Sequence, residues 1–332
     1  MSDREAIATN EAKGVLCSGS IIFDTLVQPF EESAWGTTTF VESMERHVGG
    51  NGANTARALA ILGTPVRLLG ALGDDAQAEF ILEKLRNGGV DTSHIARMPA
   101  PTAATIVLVN RRGDRQFLHR LGISALAFER PVEFTPDLCR GMAHYHLASL
   151  FILPHMRIHG AEVLRRARAA GLTTSLDTNW DAEGKWMDTL RPCLEGLDIL
   201  FMNEDEARMV TGWSEAARSA DMVLKEGVKT AVMKLGPRGC AIYTGEDEIL
   251  CPAFDVVARD TTGAGDCFAA GFLTARQRGA SWREAGQFAN AAAALSVETL
   301  GAVSGMPTFE EVEKWMRAAP VRTLGPSYKP DV

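Results

Sequence analysis

The sequence predicts an α/β fold with a mainly parallel central sheet covered by helices. Short apolar runs rich in β-branched residues alternate with segments whose apolar residues recur at helical spacing. The apolar runs lie at 66–72, 173–179, 199–205 and 230–236. Helical segments between them end at glycines such as Gly171 and Gly212, where a left-handed C-cap is expected. Because strand and helix alternate in this way, we expect the strands to lie parallel in one sheet.

The composition is that of a globular protein. Of 332 residues, 46% are hydrophobic and 23% are charged, which allows a large core. A net charge of -8 without runs of like charge argues against nucleic acid and anionic membranes as partners. No apolar stretch approaches the roughly 18 residues that span a bilayer, and the polar start does not resemble a signal peptide. We therefore expect a cytoplasmic protein, whose six cysteines lack C-x-x-C spacing and stay reduced.

Two segments depart from the alternation of strand and helix, at 31–47 and 101–122. The second is predicted to form two strands joined by a turn at Arg112, Gly113 and Asp114. We expect both segments to form a small β lid over the sheet. The stretch 320–332 contains three prolines and is expected to be poorly ordered.

The stretch "ARDTTGAGDCFAAGF" (258–272) is typical of an anion site. A glycine-rich turn points backbone N–H groups in one direction, immediately before a helix that is predicted to begin near Asp266. The helix dipole is expected to keep the Asp266 carboxylate ionised, so that it can accept a proton from a hydroxyl beside a phosphoryl group. The alternative is that Asp266 is an N-cap and the glycines form only a turn.

Polar residues at two other places suit a sugar. Asn51 and Asn54 lie in a glycine-rich turn before an alanine-rich helix, and their amides can bind hydroxyl groups. Asp24 ends an apolar strand (18–25), and ligands of open α/β sheets lie at the carboxyl ends of strands. The alternative for all three residues is a turn or capping role.

Other conspicuous residues are expected to be structural. His144 and His146 alternate on one strand face without an evident third metal ligand, so we expect core or pocket-wall histidines. We also expect Cys267 to pack in the core. Trp186 follows Lys185 where a P-loop needs Ser or Thr, and no G-x-G-x-x-G is complete, so a P-loop nucleotide site and a dinucleotide site are both excluded.

Two motifs resemble the signatures of the ribokinase-like (PfkB-type) carbohydrate kinases. They are "GGNGANTARALAILG" (49–63) and "DTTGAGDCFAAGF" (260–272), and four family landmarks, "GALGDD", "SLDTN", "NEDE" and "KLGPRG", lie between them in the family's order. The resemblance spans about residues 15–315. It implies a three-layer α/β/α sandwich with a mainly parallel central sheet and a small β-sheet lid, as one domain over residues 1–332.

The resemblance also implies roles for individual residues. Asp266 would be the general base, and the backbone N–H groups of Gly263, Ala264 and Gly265 would form the anion hole. The sugar would be held by Asp24, Gly50, Asn51 and Asn54. Asn203 and Glu206 would organise Mg²⁺ and the nucleotide phosphates through water. The nucleotide pocket would be shaped by Lys234, Gly236, Gly239 and Asn290, the last beside the adenine. A monovalent cation, K⁺, would be held by Asp260, Thr262, Ser296, Thr299 and Gly301.

The function that the resemblance implies is transfer of the γ-phosphoryl group of ATP to a hydroxyl of a sugar or sugar derivative, in a homodimer paired through its lids. Asn51 stands where typical ribokinases carry lysine, which argues against ribose. One alternative is a nucleoside kinase of the same fold, with an apolar slot formed by Trp35, Phe40 and Phe117. Another is a catalytically silent binding protein, against which the intact Asp266 argues.

Overall fold

The computed structural model describes residues 13–322, which form a sheet of nine strands and a smaller sheet of four. The strands are β1 (Gly14–Ser18), β2 (Ile22–Gln28), β3 (Ser43–Gly49), β4 (Val66–Leu72), β5 (Ile95–Arg97), β6 (Ala104–Val109), β7 (Arg115–Arg120), β8 (Met142–Leu147), β9 (Thr173–Asp177), β10 (Ile199–Asn203), β11 (Thr230–Lys234), β12 (Cys240–Thr244) and β13 (Glu248–Cys251). The helices are α1 (Asn51–Ile61), α2 (Ala76–Asn87), α3 (Pro154–Ala169), α4 (Met187–Leu194), α5 (Glu204–Thr211), α6 (Ala216–Lys225), α7 (Ala264–Gln277), α8 (Trp282–Ser296) and α9 (Phe309–Ala318).

The large sheet is the predicted, mainly parallel one. Its strand order is β13-β12-β11-β10-β9-β8-β1-β4-β5, and its two antiparallel pairings join β11 to β12 and β12 to β13. Residues of α1, α2, α7, α8 and α9 pack in one buried apolar cluster, and residues of α3, α4, α5 and α6 pack in another. Because strand residues alternate between these clusters, the sheet lies between two helical layers. The predicted three-layer sandwich is confirmed.

The small sheet has the order β3-β2-β6-β7 and contains one strand that the sequence reading assigned elsewhere. The run 18–25 was expected to be a single strand of the central sheet ending at Asp24. Instead β1 stops at Ser18, and Asp24 lies inside β2 of the small sheet. The chain changes sheets beside Gly19, where a Cβ would lie 2.7 Å from the Cα of Gly52. This close approach of two backbones separates the two strands.

The hairpin of the small sheet is formed by β6 and β7, which pair antiparallel around residues 110–114. Residues 31–42 contain no strand and lead into β3. At the other end of the chain, Val321 pairs with Phe254, so the start of the segment 320–332 is held against residues 253–255. The rest of that segment, 323–332, lies outside the described residues.

The two strand histidines are core residues, as predicted. His144 and His146 are both buried and share the hydroxyl of Ser175 as a hydrogen-bond partner. Burial lowers the pKa of each to about 3, so both rings are neutral. Cys267 is also buried. No helix within residues 13–322 is long and apolar enough to cross a bilayer.

Candidate active site

Helix α7 begins two residues earlier than the sequence predicted. Its N-cap is Gly263, with a φ of 71°, and a Cβ at this position would lie 2.6 Å from the side chain of Ala302. Only glycine fits such a left-handed and crowded position. Asp266 therefore lies in the first turn of α7 and is not the cap, so the capping alternative is wrong.

The carboxylate of Asp266 faces helix α1 across the pocket. Its Oδ1 accepts a hydrogen bond from Asn51 Nδ2 at 3.0 Å, and its Oδ2 accepts one from Asn54 Nδ2 at 2.9 Å. The two asparagines lie one turn apart on α1, and α1 begins at Gly50, where a Cβ would lie 2.5 Å from the carbonyl oxygen of Ser20. Residues predicted to bind sugar thus hold the predicted base as well.

The expectation that the helix dipole keeps Asp266 fully ionised is wrong. Burial raises the pKa of Asp266 to about 7, and the nearby carboxylate of Asp177 adds to the rise. The hydrogen bonds from Asn51 and Asn54, and the charge of Lys234, lower it again. Desolvation of a buried carboxyl group is larger here than the stabilisation of its charge by a helix N-terminus.

The three residues predicted to form the anion hole, Gly263, Ala264 and Gly265, lie at the start of α7. N–H groups in the first turn of a helix have no partner within the helix, so they point outward. The N–H of Ala264 is already engaged, because it donates to the carbonyl of Thr261 at 3.2 Å. A Cβ at Gly265 would lie 3.3 Å from Nζ of Lys234. The site therefore combines helix N–H groups with a lysine charge, which the sequence reading had placed in the nucleotide pocket.

Three neighbouring strands end in polar residues beside this helix terminus. Asp177, Asn203 and Lys234 are the last residues of β9, β10 and β11. Lys234 Nζ contacts Asp177 Oδ2 at 2.7 Å, and Asp177 is buried while Lys234 is largely buried. Burial opposes the charge of Lys234, but the carboxylates of Asp177 and Glu206 outweigh it and raise the pKa of the ammonium group.

Asn203 and Glu206 bind each other across the first turn of α5. The Asn203 side chain accepts the N–H of Glu206 at 2.8 Å, and the Glu206 carboxylate accepts the N–H of Asn203 at 2.8 Å. This capping box buries Glu206, and burial raises the pKa of its carboxyl group. The pair is held rigidly at the carboxyl end of β10.

The other three residues predicted for the nucleotide pocket have roles in the local structure of the protein. Gly236 and Gly239 have φ angles of 55° and 98°, and a Cβ at Gly239 would lie 2.1 Å from the carbonyl oxygen of Cys251. The side chain of Asn290 donates to the carbonyls of Cys251 at 2.8 Å and Pro252 at 3.2 Å. These hydrogen bonds of Asn290 link α8 to the end of β13, and the sequence did not predict this contact.

A pocket of about 260 Å³ lies between the small sheet and the ends of α1 and α7. Asp24 lines it from β2, where burial raises the pKa of this carboxyl group to about 6 against the effect of a hydrogen bond with Thr105. Asp24, Asn51, Asn54 and Asp266 all line the same cavity. The structure thus brings the residues predicted to hold the sugar together with the predicted base.

The apolar slot of the nucleoside-kinase alternative does not form at this pocket. Phe117 lines the cavity from β7. Trp35 is not among the lining residues, and neither is Phe40. Their side chains lie in the segment before β3 and are exposed, at 105% and 91%. With only Phe117 of the three rings at the cavity, the slot that a nucleobase would need is not formed there.

The predicted K⁺ site does not fit the donor set around Asp260. Its Oδ1 accepts the N–H of Thr262 at 2.7 Å and lies 2.6 Å from Nη2 of Arg115, while its Oδ2 accepts the N–H of Gly301 at 2.8 Å. Each carboxylate oxygen therefore already accepts an N–H donor, and a guanidinium group balances the charge. Ser296, Thr299 and Gly301 were predicted to act through carbonyl oxygens, and the carbonyl of Gly301 already accepts the N–H of Ser304 at 3.1 Å. Thr299 lies in the same loop as Gly301.

Sequence reasoning missed three charged residues of the site, which are Arg57, Arg115 and Asp177. Arg57 is a basic residue within an otherwise alanine-rich helix, and Arg115 directly follows the predicted hairpin turn. Asp177 lies in the landmark "SLDTN" and ends a buried strand, as ligand-binding carboxylates of α/β sheets do. These signals are present in the sequence, but the partners of Arg115 and Asp177 lie far away along the chain.

A buried carboxyl group beside a helix N-terminus, in a pocket under a small sheet, is typical of a small-molecule kinase. The chain matches the model of the pfkB family carbohydrate kinases over residues 12–309. The 2-dehydro-3-deoxygluconokinase of Bacillus subtilis (strain 168) is 28% identical over 311 residues, which cover 90% of this chain and 95% of that protein.

Solved structures agree with the family match. The structure of Arabidopsis thaliana ribokinase complexed with ribose and ATP has a TM-score of 0.81 at 28% identity, covering 92% of this chain and 99% of that chain. A putative ribokinase II from E. coli in complex with ATP and Mg²⁺ has a TM-score of 0.81 at 25% identity, covering 92% and 99%. The protein belongs to the pfkB family of carbohydrate kinases.

Proposed function

We propose that this enzyme transfers the γ-phosphoryl group of ATP to a hydroxyl of a sugar or sugar derivative, with Asp266 as the general base. The observation that carries the proposal is the position of Asp266. It is buried in the pocket, oriented by two amides and placed in the first turn of α7, and its pKa is about 7. A base with a pKa near the working pH is well matched to removing a proton from a hydroxyl.

The proposed reaction is a direct displacement. The acceptor hydroxyl oxygen bonds to the γ-phosphorus, its proton passes to the carboxylate of Asp266, and the bond between the γ-phosphorus and the bridging oxygen breaks to release ADP. Asn51 and Asn54 fix the carboxylate, while the first-turn N–H groups of α7 and the charge of Lys234 stabilise the negative charge on the phosphoryl oxygens. Positioning and charge stabilisation carry most of the catalysis in phosphoryl transfer.

Magnesium is part of the proposal. The oxygen donors of Asp177 and Asn203 at the ends of β9 and β10, and of Glu206 in the first turn of α5, suit a hard cation. Among residues 13–322 no group of three His, Cys, Asp or Glu forms a ready metal site, which fits an ion that arrives with the nucleotide phosphates. When bound, Mg²⁺ supplies neutralisation of phosphate charge. Potassium is not part of the proposal, because Arg115 already balances Asp260.

The organisation of the molecule completes the proposal. We place the whole chain in one kinase domain, with the small sheet as a lid that closes over the sugar and excludes water. We also propose a homodimer paired through the lids. The cytoplasmic location stays a prediction from composition.

The decisive experiment is a phosphorylation screen that follows ADP release with sugars, sugar acids and nucleosides. We expect turnover with a sugar or sugar derivative, and we expect Asp266→Asn to lower kcat by about 10²–10⁴-fold with little change in ATP binding. Thermal melting of the variant checks that it is folded. Near-normal turnover of a folded Asp266→Asn protein would show that another group is the base.

A further inference from the structure

Arg57 is a charged residue of the pocket to which the proposed mechanism gives no role. It lies on α1 one turn after Asn54, so it is on the helix face that carries the two asparagines. Its side chain lines the same cavity as Asp24 and Asp266. An arginine at this position faces the space where the sugar would bind.

The guanidinium group of Arg57 has no counterion in the protein. Within residues 13–322 it makes no hydrogen bond or ion pair, whereas Arg115, the other arginine lining the cavity, is paired with Asp260. The titratable neighbour that acts on Arg57 is Cys267, but burial raises the pKa of that thiol to about 12, so it is uncharged near neutral pH and is no counterion. Burial also lowers the pKa of Arg57 itself.

An uncompensated charge in a partly closed site is costly. Removing a guanidinium group from water without a partner is unfavourable, and buried charges in proteins are usually paired. In a binding pocket this cost is offset when the ligand brings the opposite charge, because a carboxylate or phosphate accepts two parallel N–H bonds from arginine. The carboxylates of the cavity do not fulfil this role. Within residues 13–322 Asp24 forms no ion pair with Arg57, and its pKa is raised by burial to about 6 without any effect of an arginine. Asp260 is engaged by Arg115 and two N–H groups, and Asp266 is engaged by Asn51 and Asn54.

We propose that the pocket takes an acidic sugar, whose carboxylate or phosphate group pairs with Arg57. This inference rests on the proposed kinase function and deepens it by naming the class of acceptor. In this arrangement Arg57 fixes the acidic end of the substrate, and the hydroxyl to be phosphorylated lies at Asp266. A cavity of about 260 Å³ offers space on the scale of one sugar ring or open chain.

The wild-type enzyme tests the inference without any variant. We would compare kcat/KM within matched pairs that differ only by the acidic group. One arm tests carboxylates, as a hexonate against its hexitol and a hexuronate against its hexose, and the other tests phosphates, as a hexose 6-phosphate against the hexose. We expect at least a tenfold preference for the acidic member in one arm, which identifies the source of the anion. Equal or better use of the neutral member in both arms would overturn the inference.

Variants of Arg57 then test whether this side chain causes the preference for acidic substrates. Arg57→Gln should lower kcat/KM for the preferred acidic substrate by about 10- to 100-fold, the range for a lost hydrogen bond to a charged group. The neutral partner should change less than about threefold, and Arg57→Lys should retain part of the preference. Arg140→Gln is the matched control, because it removes the same charge from a side chain that is 79% exposed and paired only with Asp137.

Two outcomes separate this inference from the kinase proposal. If Arg57→Gln slows acidic and neutral substrates alike, Arg57 serves the phosphoryl group and the inference is wrong, while the kinase function stands. If no sugar of either charge supports release of ADP, the kinase proposal itself fails.

Discussion

Asp266 shows how the surroundings of one side chain set its proton affinity. Burial favours the neutral carboxyl group, and two asparagine amides and the ammonium group of Lys234 favour the charged one. The result is a pKa near 7, between that of a solvated aspartate and that of a carboxyl group buried without partners. Asn51 and Asn54 thus orient the carboxylate and also keep a useful fraction of it ionised at neutral pH.

The pH dependence of activity follows from this pKa. Because only the carboxylate form accepts a proton, kcat/KM should fall about tenfold per pH unit below 7 and should level off above pH 8. Measurement of ADP release between pH 5 and 9 checks the profile. Asp24, whose pKa is about 6, also lines the pocket, so Asp24→Asn serves as the control and should leave the step near pH 7 in place. A flat profile between pH 5 and 8 would contradict the assignment of Asp266.

We expect Lys234 to supply positive charge to the site and to lower the pKa of Asp266. Its charge lowers the pKa of Asp266 and lies beside Gly265, so Lys234→Met should reduce kcat by about 100-fold and move the acidic limb to higher pH. Lys229→Met is the matched control, since Lys229 pairs with Asp198 at 2.7 Å at the other end of β11. An unmoved acidic limb in a folded Lys234→Met protein would remove Lys234 from the mechanism.

At the scale of elements, apolar patterning predicted the strands of the large sheet well. The run 66–72 is β4, and the runs at 173, 199 and 230 begin β9, β10 and β11. The pattern identifies these segments because strands covered on both faces are almost continuously apolar. The same argument failed for the run 18–25, since alternation along the chain does not reveal that Gly19 meets Gly52 and turns the strand into another sheet.

Individual residues of the candidate site could be predicted from the sequence. The ion pairs that these and other residues form could not. Asp24, Asn51, Asn54 and Asp266 do line one pocket. The pairs that set the electrostatics, however, join residues distant in sequence, such as Asp177 with Lys234 and Arg115 with Asp260. A single sequence carries no signal for such pairings, so the K⁺ ligand set was predicted where an arginine from the small sheet already binds.

The ion pair between β7 and the loop before α7 predicts how the enzyme responds to salts. With Arg115 as the counterion of Asp260, turnover should be the same in K⁺, Na⁺ and a bulky organic cation. Arg115→Met should lower kcat about tenfold, which corresponds to about 1.4 kcal/mol of transition-state stabilisation, because the loop that leads into the anion hole loses its support. Arg112→Met is the control, since that arginine is 83% exposed at the hairpin tip. Faster wild-type turnover in K⁺ than in Na⁺ would restore the cation site.

At the scale of the whole molecule, the two sheets have different tasks. The large sheet lies between two apolar clusters and holds the ends of β9, β10 and β11 rigidly beside α7. The small sheet is buried less completely, and five of the six residues of β7 are exposed. Its inner face carries pocket residues such as Asp24 and Arg115, so any movement of this sheet changes the pocket directly. The large sheet therefore holds the polar strand ends of the site in place, and the small sheet separately forms the cover of the pocket.

The outer face and edge of the small sheet predict the oligomeric state. Met44, Ile106 and Leu118 are large apolar side chains exposed at 67%, 43% and 51%, and β7 is an unpaired edge strand in the described chain. Exposed apolar patches and strand edges are usually covered by a partner, and a second copy of the same lid would cover both at once. We therefore expect light scattering at micromolar concentration to give twice the 35.8 kDa of one chain.

The variant Leu118→Glu tests whether this surface forms the interface. A buried glutamate without a partner opposes association, so Leu118→Glu should be a monomer. Ile158→Glu is the matched control, because Ile158 is 71% exposed on α3, outside the small sheet, and its variant should stay a dimer. A monomeric wild-type protein, or a Leu118→Glu protein that remains dimeric, would show that the lids do not pair. If the lids do pair, loss of the dimer should also raise the KM for sugar, because the partner's lid would limit the opening of the cover over the pocket.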